Sequence, residues 1–201
     1  MHDPTQLPED LPTPIDDGAA DHLRGAALPD LALMSTSGRR ESLLELARAP
    51  VVLFFYPRTG VPGQPPSLGF AGETWESIPG ARGCTPQSCG FRDRHRDFCE
   101  RGVAVFGVST NTTAHQREFA SRMHVPFDFL SDSHLELVKR MRLPTFEFPV
   151  ESGSPTTLIR RMAWYCERGV VQQVWYPVFP PDQNARTVLA WLDERGPVRA
   201  S

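Results

Sequence analysis

The longest apolar segments of the chain have the length and residue types of buried strands. Val51–Tyr56 reads VVLFFY and ends at Pro57, and Val103–Val108 reads VAVFGV. Runs of β-branched and aromatic residues without alternation are typical of strands covered on both faces. Because a helical pattern separates the two runs, we expect a βαβ unit with a parallel pair at the centre of a sheet.

Helical periodicity and capping residues mark the helices. Residues 85–100 place Phe91, His95 and Phe98 at helical spacing, and a proline at position 86 is tolerated in the first turn. Side chains that accept hydrogen bonds from free backbone amides mark further helix starts. They predict helices after Ser42, after Asn111 or Thr112, after Asp132 or Ser133, and after Asp182, the last over residues 183–194.

Two turn motifs predict antiparallel hairpins. Thr36–Arg40 separates two short strands, and Glu167–Gly169 joins residues 157–166 to residues 170–176. An antiparallel hairpin beside the parallel unit makes the sheet mixed. We therefore expect an α/β protein, a thioredoxin-like sandwich with a mixed central sheet and helices on both faces.

The length of 201 residues is that of one domain with tails. Residues 1–27 combine four prolines with acidic residues and no apolar period, so we expect an extended or mobile tail. The domain is predicted over 28–195, followed by a C-terminal tail over 196–201. Residues 57–83 hold five prolines and predict a long loop, which at this length is usually functional or disordered.

Composition narrows the classes of function. The net charge of −3, from 21 basic and 24 acidic residues, does not favour binding to nucleic acid or an anionic membrane. No apolar run approaches the roughly 18 residues of a membrane helix, and the first residues lack the pattern of a secretory signal. We therefore expect a cytoplasmic protein, where closely spaced cysteines are more often catalytic or metal-binding than structural.

One cysteine motif carries the chemistry. Residues 83–93 read GCTPQSCGFRD, and they place Cys84 where a helix begins. Free backbone amides and the helix dipole favour a thiolate there, and a thiolate is the nucleophilic form of cysteine. Cys89 lies five residues on, about 8.6 Å away between Cα atoms in an intact helix, whereas a disulfide needs less than about 7 Å. A disulfide between them requires the first helical turns to unwind.

Three other interpretations compete with a catalytic thiol. A zinc site would need a second pair of ligands, and the chain offers none at suitable spacing. A thioredoxin-type thiol–disulfide oxidoreductase would carry two residues, not four, between its cysteines. A non-enzymatic redox-sensing or binding module on the same scaffold stays open, because fold alone does not give function.

Several segments together resemble a known family. Phe54–Pro57, Gly83–Thr85 and Cys89–Asp93, with a typical opening at Leu28–Gly38, look like the peroxiredoxins of the AhpC/TSA redoxin superfamily. The Q-type, or bacterioferritin-comigratory, class is the most similar, and the resemblance covers about 27–195. It implies a thiol-dependent peroxidase, an antioxidant enzyme that reduces hydrogen peroxide or organic hydroperoxides.

The resemblance also implies roles for individual residues. Cys84 matches the peroxidatic cysteine, which becomes a sulfenic acid, and Cys89 matches the resolving cysteine, which condenses with it to a disulfide. Gln87 matches a position that is Glu or Gln in the family. Arg161 is the favoured match to the arginine that stabilises the thiolate and the peroxide, and Arg160 is the alternative.

The chain departs from the family pattern before the first cysteine. Pro57 matches the family proline, but residues 58–82 form an unusual insertion between it and the motif. Ala81 stands where the family has Thr or Ser, three residues before the cysteine. Thr59 and Thr85 are the two candidates for the missing hydroxyl.

The remaining aromatic and cysteine residues receive structural interpretations. Phe70 and Trp75 suggest that the insertion packs as a lid or a contact surface. Cys99 and Cys166 are predicted to be structural, buried thiols, and they are alternative resolving residues should Cys89 prove dispensable. No cofactor and no metal is expected. The implied partners are a peroxide and a thioredoxin- or glutaredoxin-like thiol donor, and the expected state is a monomer or dimer.

Overall fold

The computed structural model describes residue 7 and residues 10–60, 73–148 and 156–196. Residues 197–201 of the expected C-terminal tail, and the middle of the insertion with Phe70, lie outside the described residues. The strands are β1 Ala32–Ser35, β2 Arg40–Ser42, β3 Val51–Phe55, β4 Ala104–Ser109, β5 Phe129–Ser131, β6 Thr145–Phe148, β7 Thr156–Ile159, β8 Met162–Glu167 and β9 Val170–Trp175. The helices are α1 Leu43–Leu46, α2 Glu73–Glu76, α3 Cys84–Asp93, α4 His95–Glu100, α5 Thr113–Arg122, α6 Glu136–Met141 and α7 Asn184–Arg195, with 3-10 turns at Asp21–Leu23 and Pro181–Gln183.

Seven strands form one mixed sheet in the order β2-β1-β5-β4-β3-β8-β9. The pairs β3–β4 and β4–β5 are parallel, and the other neighbours are antiparallel. Helices cover both faces, which confirms the predicted thioredoxin-like sandwich. Both predicted hairpins are present, β1–β2 and β8–β9.

The central strand β3 divides the core into two layers. All five of its residues are buried, as its uninterrupted apolar sequence predicts. Val51, Leu53 and Phe55 face a layer that includes α1 and α6. Val52 and Phe54 face the layer that holds α3, α4, α5 and α7. Because strand side chains alternate between faces, β3 supports both layers of the core.

Two predicted N-caps are confirmed, a third residue caps its helix from four positions before the first helical residue, and one prediction is wrong. Ser42 accepts a hydrogen bond from the Glu45 amide, and Thr112 accepts one from the His115 amide. The Asp132 carboxylate accepts from the amides of Leu137 and Val138. Asp182 does not cap α7, because it lies inside the 3-10 turn that leads into the helix.

Two predicted elements are interrupted in the structure. The helix expected over 85–100 breaks at Arg94, whose φ of −110° and ψ of 11° end α3 before α4 begins. The strand expected over 157–166 breaks at Arg160–Arg161. Its first part, β7, pairs with β6 in a separate two-stranded sheet, and its second part, β8, joins the main sheet beside β3. Apolar residues stand on both sides of the two arginines, so the sequence pattern reads as one strand with a polar interruption.

The expected tail boundary after residue 27 is too late. Ala20 and Leu23 are buried in the core layer of α1 and α6. The Gly25 amide donates to the Val171 carbonyl of β9, and the Tyr176 hydroxyl donates to the Asp17 carboxylate at 2.9 Å. The segment lacks periodicity because only isolated apolar residues anchor it, so composition alone predicts a tail.

We expect Leu23→Ala to lower the free energy of unfolding by about 2–4 kcal/mol, because it empties a fully buried position. Chemical denaturation of the full chain measures this. Ile15→Ala is the matched control on the same segment: Ile15 is 85% exposed, so its change should stay within about 0.5 kcal/mol. If Leu23→Ala lowered the free energy of unfolding as little as Ile15→Ala, the segment would not contribute to the core.

Candidate active site

Cys84 is the first residue of α3, at the start of the motif that the sequence singles out. Gly83 precedes it with φ +104°, a conformation that L side chains rarely adopt. A Cβ at Gly83 would lie 2.3 Å from Pro181 Cγ. Glycine is therefore required here by both backbone geometry and space, and it lets the chain turn sharply so that the thiol sits at the helix N-terminus.

The Cys84 sulfur lies in a buried environment beside a cation. Its side chain is 5% exposed, and Arg161 Nη2 donates to Sγ at 3.3 Å. The thiol donates in turn to the Ala81 carbonyl, 3.6 Å away. A guanidinium and the free amides of a helix start both stabilise negative charge on sulfur. The arrangement is suited to a nucleophilic thiolate.

Arg161 is held by backbone as well as by side chains. It is 3% exposed, and its Nε donates to the Gly80 carbonyl at 3.2 Å. Nη2, the nitrogen that faces the sulfur, also lies 3.0 Å from the Ala81 carbonyl oxygen and 3.1 Å from that of Arg82. Its Nη1 donates to Gln87 Oε1. None of these acceptors is a carboxylate, so no partner in the set neutralises the charge that faces the sulfur.

The two adjacent arginines point in different directions. Arg160 Nε donates to the Thr145 carbonyl at 3.2 Å, and its guanidinium lies 5.9 Å from the centre of the Phe146 ring. The structure therefore brings Arg161, and not Arg160, to the Cys84 sulfur. The strand break at these two residues separates their side chains.

The structure does not join either candidate for the missing hydroxyl to the sulfur. Pro57 and Thr59 are buried after β3, and Thr59 Oγ1 lies 3.1 Å from His115 Nε2. Burial and the charge of Arg58 lower the pKa of His115. Thr85 is half-buried in the first turn of α3. Within the described part of the chain, no hydrogen bond joins either threonine to the Cys84 sulfur.

Two buried hydroxyls near the site escaped the sequence analysis. Ser88, one turn after Cys84, has no hydrogen-bond partner for its Oγ among the described residues. Tyr56 is fully buried, and its hydroxyl lies near Ser109 and Gln116 without forming a well-aligned hydrogen bond. Burial raises the pKa of Tyr56, so it keeps its proton.

The other cysteines differ in exposure. Cys89 is buried on α3, which raises the pKa of its thiol, and it is not bonded to Cys84 in this intact helix. Cys166 is fully buried in β8, which likewise raises its pKa. The prediction of a buried Cys99 is wrong: it is exposed on α4, with Sγ 3.6 Å from His95 Nε2. The neighbouring Phe98 lies on the buried face of α4, so Cys99 lies on the exposed side.

The end of the insertion contributes to the site. Trp75 packs against Phe146 and Phe148, with ring centres 6.2 Å and 5.3 Å apart. This contact fastens the insertion to the small β6–β7 sheet ahead of the carbonyls that hold Arg161. A cavity of about 260 Å³ lies alongside, lined by Thr13, Pro14, Ile15, Asp17, Pro79, Gly80, Phe146, Arg160, Arg161, Tyr176, Pro177 and Val178.

One further buried residue completes the network. Gln87 Nε2 donates to Asn184 Oδ1 at 2.9 Å, across 97 positions of sequence. No local motif marks Asn184, so sequence reasoning missed it.

Among residues 10–60, 73–148 and 156–196, no group of three His, Cys, Asp or Glu side chains could hold a metal ion. Within the same ranges, no helix has the length and apolar character needed to cross a membrane.

The structure thus places a buried, arginine-faced cysteine at a helix start on a thioredoxin-like sheet. The family model described as Redoxin matches residues 23–189, and the chain belongs to that family. The predicted resemblance to peroxiredoxins of the Q type is confirmed by the relatives that the chain matches.

Curated and solved relatives give the extent of the similarity. Chloroplastic peroxiredoxin Q of Oryza sativa subsp. japonica is 29% identical over 169 residues, and that of Arabidopsis thaliana is 30% identical over the same length. Each match covers 84% of this chain and 66% of the relative, so the chain spans just under two thirds of these proteins. Peroxidoxin BcpB of Mycobacterium tuberculosis shares the fold, with a TM-score of 0.66, 24% identity, and coverage of 88% of this chain and 98% of that one.

We expect Arg161→Lys to slow the reaction of Cys84 with peroxide by about 10²-fold, because lysine cannot reproduce the fork that reaches sulfur, Gln87 and the backbone together. Stopped-flow measurement of a single turnover tests this. Arg160→Lys is the adjacent control and should change the rate by less than about twofold. A larger loss in Arg160→Lys than in Arg161→Lys would reverse the assignment.

Proposed function

We propose that the protein is a thiol-dependent peroxidase that reduces hydrogen peroxide or organic hydroperoxides. The 3.3 Å contact between Arg161 Nη2 and Cys84 Sγ at the start of α3 is the observation that carries this proposal. Membership of the redoxin family and the peroxiredoxin Q relatives support it. We infer a cytoplasmic protein, a monomer or dimer, that receives electrons from a thioredoxin- or glutaredoxin-like thiol donor.

The proposed cycle begins with attack by the Cys84 thiolate on the terminal oxygen of the hydroperoxide. The S–O bond forms as the O–O bond breaks, and the leaving oxygen takes a proton to become water or an alcohol. Cys84 is oxidised to a sulfenic acid. Arg161 stabilises the thiolate and the negative charge that develops on the leaving oxygen. Gln87 orients Arg161, while Pro57 with Thr59 or Thr85 shapes the peroxide pocket.

Cys89 then condenses with the sulfenic acid. Its sulfur attacks Cys84 Sγ, the S–O bond breaks, water leaves, and a disulfide forms. Two thiols of the external donor reduce this disulfide and become a disulfide themselves. Since five helical residues hold the Cα atoms about 8.6 Å apart, the first turns of α3 must unwind before the bond can form.

A thioredoxin-like oxidoreductase is less well supported. Four residues separate the two cysteines, and the relatives are named peroxiredoxins. The buried position of Cys84 suits a small peroxide better than a protein disulfide.

One equivalent of hydrogen peroxide should convert the reduced protein to a form with a Cys84–Cys89 disulfide, which peptide mass spectrometry identifies. In Cys89→Ser the sulfenic acid should persist and be trapped by dimedone. Cys99→Ser and Cys166→Ser should leave the disulfide unchanged. A bridge from Cys84 to Cys99 or Cys166 would contradict the assignment of Cys89, and peroxide consumption that survives Cys84→Ser would contradict the proposed function.

The disulfide form should also have lost the start of α3. We expect NMR chemical shifts for residues 84–89 to change from helical to irregular when the protein is oxidised. The shifts of α7 should remain helical, so they provide the internal control. An oxidised protein with an intact α3 would rule out local unwinding as the route to the disulfide.

A further inference from the structure

Asn184 is a buried amide at the far end of a chain of contacts that begins at the Cys84 sulfur. It is the first residue of α7 and is 3% exposed. Its Oδ1 accepts from Gln87 Nε2, and Gln87 Oε1 accepts from Arg161 Nη1. Arg161 Nη2 donates to the sulfur. Asn184 thus lies two side chains away from the reacting atom.

The hydrogen bonds that link Arg161, Gln87 and Asn184 allow only one arrangement of donors and acceptors. A glutamine amide presents oxygen on one side and NH₂ on the other, and Arg161 has donors only. If the Gln87 amide turned over, its NH₂ group would face the guanidinium, and two sets of donors would meet in a buried site. An acceptor on the other side of Gln87 prevents this, and Asn184 Oδ1 is that acceptor.

We propose that Asn184 is a positioning residue: it fixes the Gln87 amide so that Oε1 faces Arg161, and it thereby holds the guanidinium against the Cys84 sulfur. The inference rests on the proposed function for its reaction with peroxide. Asn184 acts through Gln87 and contacts neither the sulfur nor the guanidinium in this structure.

Close packing of two helices brings Asn184 within reach. A Cβ at Gly90 of α3 would lie 3.1 Å from the Asp182 carbonyl oxygen and 3.9 Å from Ala185 Cβ. The absence of a side chain at position 90 therefore lets the 3-10 turn and the start of α7 lie directly against α3. Since Gln87 is one turn earlier on α3, the same approach places its amide opposite Asn184.

The network is also uncharged apart from Arg161. Gln87 and Asn184 supply hydrogen bonds without a carboxylate, so they orient the guanidinium without neutralising it. Because both amides are neutral, Arg161 is held in place and keeps its full positive charge beside the sulfur.

The test is the substitution Asn184→Leu, which keeps the volume and removes the acceptor. In the full chain we expect the rate constant of Cys84 with hydrogen peroxide to fall about tenfold, and the pH profile of Cys84 alkylation by iodoacetamide to move upward. Alkylation is followed on the Cys84 peptide by mass spectrometry, because Cys99 is exposed and also reacts. A folded variant with both values unchanged would overturn the proposal.

A double-mutant cycle separates positioning from general damage. In a Gln87→Leu background, Asn184→Leu should cause no further loss of rate, because the residue through which it acts is gone. Additive losses would overturn the proposal. Thr187→Ala is the control on α7: it removes the hydrogen bond from Thr187 Oγ1 to the Gln183 carbonyl and should leave the rate unchanged. An equal loss in this control would mean that α7 acts only as a structural support.

A second variant keeps the test valid if Asn184→Leu does not fold. Gly90→Ala pushes the start of α7 away from α3 and should lower the Cys84 rate severalfold, again without further effect in a Gln87→Leu background. Gly90→Ala with an unchanged rate would count against the proposal. Wild-type protein whose Cys84 is alkylated readily but does not consume peroxide would refute the proposed function, and the alkylation profiles would still decide the role of Asn184.

Discussion

The buried guanidinium of Arg161 is the interaction on which the site depends. A buried cation is costly unless its donors are satisfied, and Arg161 uses its donors on the Cys84 sulfur, on Gln87 and on the carbonyls of residues 80–82. These acceptors come from α3 and from the end of the insertion. Since the insertion and the helix both supply acceptors to one buried cation, the insertion, the helix and the arginine hold one another in place.

The strand break at Arg160–Arg161 makes that set of contacts possible. A continuous strand from 157 to 166 would send consecutive side chains to opposite faces of one sheet. In the structure the chain bends here. β7 pairs with β6 in the small sheet, and the Arg161 side chain contacts Cys84 at the start of α3. The irregular backbone at this point lets Arg161 reach the sulfur while Arg160 turns toward the small sheet.

The parts that local sequence determines were predictable, and the parts that distant contacts determine were not. The uninterrupted apolar run of β3 and the capping residues Ser42 and Thr112 fix their own structure, so the sheet and its helices follow from pattern. Cys84 is marked by its neighbours in the motif. The contact of Asn184 with Gln87 spans 97 positions, and the burial of Leu23 depends on a core that the segment only touches. Neither has a periodicity that one sequence could display.

In the proposed cycle, the contacts that activate the Cys84 sulfur also oppose the unwinding that a Cys84–Cys89 disulfide requires. A thiolate accepts a charge-assisted hydrogen bond from Arg161, which is roughly twice as strong as a neutral one. In the proposed cycle oxidation replaces the thiolate by a neutral sulfenic acid, so the bond to Arg161 weakens at the step when the first turn of α3 must release Cys84. The carbonyls of residues 80–82 keep Arg161 in place meanwhile, because Gly80 accepts from Nε, and Ala81 and Arg82 remain as acceptors for the two protons of Nη2. In that cycle the site holds the thiolate firmly, releases the oxidised cysteine, and recovers its geometry once the disulfide is reduced.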